Sequence, residues 1–148
     1  MQKQLVREQA DRWHGTDGAW AQGYRAGNLV FLQGQTGLTL DGDLVAPHDP
    51  AGQARMALEN IRTLMELAGG TLDDVVKIVV YVTEHAYRRD VYPIIGEFFG
   101  RTKPCSTGLV VKGLAMPELV VEIDAYAVID DRSATTSDQK KDAAAGPS

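Results

Sequence analysis

Cysteine is nearly absent: the 148 residues contain one, Cys105, so no internal disulfide can form. Metal-ligand patterning is absent as well. The three histidines, His14, His48 and His85, are scattered and show no HxxxH, CxxC or carboxylate-His spacing, so neither a structural metal nor a metal cofactor is expected. No apolar run approaches the roughly 20 residues that span a bilayer. The stretch from Met1 to Trp13 carries charges where a signal peptide needs an apolar segment, so the expectation is a cytoplasmic chain with no membrane partner. Basic side chains are the minority, 15 against 20 acidic, for a formal charge of -5. A field of that sign repels phosphate backbones and argues against nucleic acid as a partner.

What is present is the balance of an ordinary globular domain, 44% hydrophobic and 24% charged. The final stretch, residues 131–148 (DRSATTSDQKKDAAAGPS), has no large apolar side chain and cannot bury enough surface to offset its ordering entropy. It is expected to be a disordered tail, leaving residues 1–130 as the single folded domain.

Within that domain, Asn28 to Gln35 and Val75 to Val82 are short, rich in β-branched and aromatic residues, and read as strands, the second of them buried on both faces. Between them Ala54, Leu58, Ile61, Met65 and Ala68 recur three or four apart. Asp49-Pro50 opens this amphipathic helix and Gly69-Gly70 closes it. A shorter helical pattern follows in Val91, Ile94, Ile95, Phe98 and Phe99, ended by Gly100, with Pro93 compatible only near the first turn. Thr107 to Lys112 and Leu119 to Ile129 read as strands, the latter alternating Val121, Ile123 and Ala125 with Glu122, Asp124 and Tyr126. With weaker strands at Gln4 to Gln9 and Trp20 to Arg25, the order is β, β, β, α, β, α, β, β. Two helices on one face leave the other sheet face to be covered by association.

Three runs, GNLVFLQGQTG, QARMALENIRTLMELAGGTLDDVVKIVVYVTE and EFFGRTKPCSTGLVVKGLAMPELVVEIDAYAV, keep their order and spacing over residues 18–129. In this the chain resembles the Rid/YjgF superfamily of enamine/imine deaminases and L-PSP-like proteins. The resemblance implies an α+β, chorismate-mutase-like subunit: a mixed six-stranded sheet with two helices on one face. It further implies a homotrimer with small-molecule clefts between adjacent subunits. The best-known members hydrolyse reactive enamines and imines to carbonyl compounds and ammonia without a cofactor.

Those deaminases grip the substrate carboxylate with an arginine two residues after a proline. Here the run is Pro104-Cys105-Ser106-Thr107, which puts Ser106 in the arginine's slot. A guanidinium offers a permanently charged, bidentate fork, whereas a hydroxyl offers one neutral donor, so 2-aminoacrylate-type substrates are expected to bind poorly. Trp20 stands where the deaminases have a tyrosine, and Tyr92 where they have an asparagine. The resemblance retains Gly34 and Gln35, which supply backbone groups to the ligand, and Glu122, which matches the acid that positions the attacking water.

Read from the residues, Glu122 lies mid-strand on the same face as Asp124, about 7 Å along the strand. Burial and a second carboxylate both raise its pKa toward a value useful for proton transfer; the alternative is a structural carboxylate. Cys105 is either a nucleophile or a small buried or lining residue, and Arg101 and Lys103 are its near cations. Ser106 and Thr107 have hydroxyls for a ligand or for the backbone. Trp13, Trp20, Tyr24 and Phe31 line an aromatic cleft or fill the core, with Trp20 the position of interest. Arg101, Lys103 and Arg25 are solvated or replace the missing cation. The leading expectation is a cofactor-independent hydrolase or deaminase for a small enamine, imine or related nitrogen compound lacking the α-carboxylate. The alternative is a non-catalytic trimeric small-molecule-binding or chaperone-like protein. A ribonuclease is disfavoured by the charge and by the lack of a basic, aromatic-lined stripe.

Overall fold

Asp49 begins the longest helix: its side chain accepts from the Ala51 N–H, and Pro50 fills the first turn, where no backbone donor is needed. The computed structural model describes residues 2–10, 15 and 18–130. The expected tail, residues 131–148, lies outside them, as do Trp13 and His14. The strands are β1 (Lys3–Glu8), β2 (Ala21–Ala26), β3 (Leu29–Leu32), β4 (Val75–Val82), β5 (Cys105–Val110) and β6 (Val121–Val128), and the helices are α1 (Pro50–Leu67) and α2 (Arg88–Phe99).

The six strands form one mixed sheet in the order β1-β2-β3-β6-β4-β5. Only β4 and β5 pair in parallel, and a parallel neighbour requires a crossover, which α2 supplies. Ala54, Ala57, Leu58, Ile61, Leu64 and Met65 of α1 are fully buried against the sheet face that carries Ile78, Val80, Val121, Ile123 and Ala125. Burial of a Leu or Ile side chain is worth roughly 1.5–3 kcal/mol, so this helix-to-sheet layer is the main source of stability.

Two expectations are corrected. β4 is not buried on both faces: Ile78, Val80 and Val82 are each 1% exposed, whereas Lys77, Val79 and Tyr81 are half-buried. Both helices lie on one side, so the other face of the sheet has no helix over it among the described residues. Pro93 is not in the first turn of α2 but in its second, because the helix starts at Arg88, after a 3-10 turn over His85–Tyr87. The helix tolerates it because Pro93 and Arg89, whose carbonyl loses its partner, are both exposed to water. Among the described residues, no helix is long and apolar enough to cross a membrane.

Candidate functional site

The strict alternation of β6 turns Val121, Ile123 and Ala125 to the core and Glu122 and Asp124 to the open face. The segment after β3 is brought beside them by one bridge. The Gln35 N–H donates to the Ile123 carbonyl at 2.9 Å, and the Ile123 N–H donates back at 2.8 Å. That bridge seats Gly34 on the two flanking carboxyls: a methyl on Gly34 would collide with Glu122 Oε1 and lie 2.8 Å from Asp124 Oδ1. Gly34 therefore allows an approach that no side chain permits.

Burial raises the Glu122 pKa above its ordinary value, and the neighbouring Asp124 charge adds to the effect. Asp124 accepts a hydrogen bond from the Tyr81 hydroxyl at 2.8 Å, and that bond leads the causes that push Tyr81 up to about 12. Tyr81 therefore keeps its proton near neutrality, and its hydrogen bond fixes the position of the Asp124 carboxyl. Tyr81, Glu122 and Asp124 line an open cleft of about 440 Å³, whose other wall is Val111, Gly113, Leu114 and Ala115. The chemistry available there is that of a half-buried carboxyl of raised proton affinity beside a second carboxyl held by a tyrosine.

The remaining sequence-derived positions fall in different places. Gln35 is buried, and its backbone groups are used in the bridge to Ile123, while its side chain donates to the Gln33 carbonyl. Trp20 is 58% exposed, immediately before β2, and its carbonyl accepts from the Gln9 N–H. Tyr24 and Phe31 are cross-strand partners on the open face, and Phe31 meets Tyr126 edge-on at 6.2 Å. Cys105 is exposed opposite Lys77, whose ammonium donates to the Thr107 hydroxyl at 2.6 Å.

Ser106 and Gly108 pair with Ile78 and Val80, which puts them on the helix side of β5, away from Cys105 and Thr107. Tyr92 reaches this strand from α2: a methyl on Gly108 would collide with its hydroxyl and lie 2.6 Å from Arg88 Nη1. Arg25 faces the helix layer and donates to the Ala68 and Gly27 carbonyls, both at 2.8 Å, closing the end of α1. Arg101 and Lys103 are exposed in the turn before β5. Two residues at these sites escaped the sequence reading, Tyr81 and Arg88. Tyr81 had a readable signal, a polar tip within an apolar strand; Arg88 had only its position four residues before Tyr92.

The profile of the endoribonuclease L-PSP family matches residues 14–129. A RutC family protein from Pyrococcus horikoshii is 32% identical over 110 residues, which cover 74% of this chain and 86% of that protein. Among solved structures, a member of the YjgF/YER057c/UK114 family from Mycobacterium tuberculosis matches with a TM-score of 0.72 at 29% identity, covering 86% of this chain and 100% of that one. RidA from an Antarctic Psychrobacter bacterium matches with a TM-score of 0.71 at 27% identity, covering 85% and 97%. The family match runs from before β2 to the end of β6 and includes both helices, and the chain belongs to the endoribonuclease L-PSP family of the Rid/YjgF superfamily.

Proposed function

We propose that this protein is a cofactor-independent hydrolase of small imines or enamines, working as a homotrimer in clefts between subunits. The observation that carries the reading is Glu122: a half-buried carboxyl with a raised pKa, seated on Gly34 at the mouth of an open cleft. A group of that kind takes a proton from water as the oxygen adds to the C=N carbon, then returns it to the departing nitrogen. One water is consumed, the C–N bond breaks, and a carbonyl compound and ammonia leave. Burial raises the Glu122 proton affinity, and Asp124, held beside it by Tyr81, adds to the effect.

The trimer is supported by the open sheet face, where Leu29, Phe31, Tyr126 and Val128 are 43%, 47%, 38% and 43% exposed. Four large apolar groups on two paired strands form a contiguous patch of the kind that marks association. Ribonuclease action, which the family name suggests, is opposed by the formal charge of -5. One observation favours a second reading, a non-catalytic binding or chaperone-like trimer: Ser106 stands on β5 in the slot of the deaminases' arginine.

Ammonia release from a panel of neutral and carboxylated imines separates the two. Hydrolysis faster than in buffer alone, with Glu122→Gln reduced by roughly 10²–10⁴-fold, supports the enzyme. No acceleration with any member of the panel rejects it and leaves the binding module.

A further inference from the structure

β5 is an edge strand, and all its residues are exposed. The Val111 N–H donates inward to the Val82 carbonyl, so by strand alternation the N–H groups of Ser106, Gly108 and Val110 point outward, away from β4. Beside that free edge lie two side chains of α2. The Arg88 guanidinium stacks on the Tyr92 ring, 4.6 Å from its centre, as residues four apart on a helix do. Both reach over Gly108, where a side chain would displace them. Glycine weakens a strand, and its presence here permits this close approach.

Arg88 differs from the other arginines that fold onto the protein. Arg7 is held by Asp41, Arg55 by Glu97, Arg62 by Glu59 and Arg25 by two carbonyls. Among the described residues, no hydrogen bond or ion pair engages Arg88, although it is half-buried. Its planar fork of donors is fixed in direction by the tyrosine ring and left open to an acceptor. A carboxylate fits it in three ways: two oxygens for the fork, a hydroxyl donor from Tyr92, and an outward N–H at Gly108.

We propose that Arg88, the Tyr92 hydroxyl and the Gly108 N–H form a subsite for the carboxylate of a small organic acid. This deepens the imine-hydrolase reading and rests on it for the ligand's identity, as substrate or carbonyl product. It reverses the expectation drawn from Ser106 alone, because the cation missing from the strand is returned to the same sheet face by the helix.

The test is titration of the ¹⁵N-labelled full-length protein with pyruvate, and with acetone as the neutral carbonyl, reading the Gly108 amide and Arg88 Nε–H signals. Pyruvate is expected to shift both saturably and acetone neither. Arg88→Gln is expected to weaken pyruvate binding at least tenfold at the Gly108 amide, Arg88→Lys to retain part of it, and Arg55→Gln to leave it unchanged. An unshifted Gly108 amide in the wild type, or equal affinity in Arg88→Gln, overturns the subsite. The two readings fail separately. Pyruvate binding here without ammonia release from any imine keeps the subsite and rejects the hydrolase; ammonia release without pyruvate at Arg88 does the reverse.

Discussion

Glu122 is held toward its protonated form by burial and by Asp124, and that fixes the sign of its effect on stability. An acid whose folded pKa lies above its unfolded value favours folding most at low pH, and the contribution is lost as pH rises from the ordinary 4.5 through the raised native value. Glu122→Gln removes the titration. Its melting temperature relative to the wild type should therefore increase between pH 4 and pH 7.5, and a gap that is constant or shrinks with pH would contradict the burial argument. Activity should move the opposite way, since the amide neither takes nor returns a proton, so the wild-type acidic limb should vanish along with turnover. Gly34→Ala is the companion case. Its new methyl meets the mobile ends of Glu122 and Asp124 rather than backbone, so the fold should lose no more than about 1 kcal/mol. Ammonia release should drop at least about tenfold, because a displacement of about 1 Å at a reacting group is costly. A variant as active as the wild type would show that the seat under Glu122 does not matter.

At the level of elements, α1 does more than cover the sheet. Gln53, fully buried in its first turns, donates to the Ala46 carbonyl at 3.0 Å and the Glu118 carbonyl at 2.7 Å, and accepts from the Val120 N–H at 2.8 Å. One side chain thus ties the loop before α1 to the loop that enters β6. Asn60, one to two turns later, holds the Leu38 carbonyl at 2.7 Å in the same way. Gln53→Leu keeps the volume and removes every bond, stranding buried backbone groups at roughly 1–3 kcal/mol each. Denaturant unfolding should show a loss of about 3 kcal/mol or more, since several groups are stranded together. A loss under about 1 kcal/mol would mean water replaces the amide. Because the clamp sets the entry of β6, the variant should also perturb the Glu122 cleft.

For the whole molecule, the decisive feature is a sheet with one face covered by its own helices and the other bearing Phe31 and Tyr126 at 47% and 38% exposure. Leaving these groups in water forgoes on the order of 25 cal/mol for each Å² that association would bury. Light scattering should give three times the 16.1 kDa chain mass at micromolar concentration. Phe31→Asp should shift the mass downward by placing a charge in the contact, and an unchanged mass would exclude this face from the interface.

How much could be read in advance follows from how far apart the interacting residues are. The limits of α1 were legible because cap, first-turn proline and apolar stripe are all local, and the shared face of Glu122 and Asp124 followed from the two-residue period of a strand. The family likewise showed in the order and spacing of its motifs. By contrast, the pairing of Gln35 with Ile123 seats Gly34 under Glu122, and that register depends on sheet assembly. The Tyr81 bond to Asp124 crosses from β4 to β6 and exists only once those strands are aligned. Arg88 illustrates the limit most clearly. Its sequence neighbours say only that it opens a helix, and the docking of α2 beside β5 is what carries its charge to Gly108. Local periodicity determined the elements and which side chains share a face. Burial between distant segments decided which of those faces meet, and so where the cation, the carboxyls and the glycine seats came to lie.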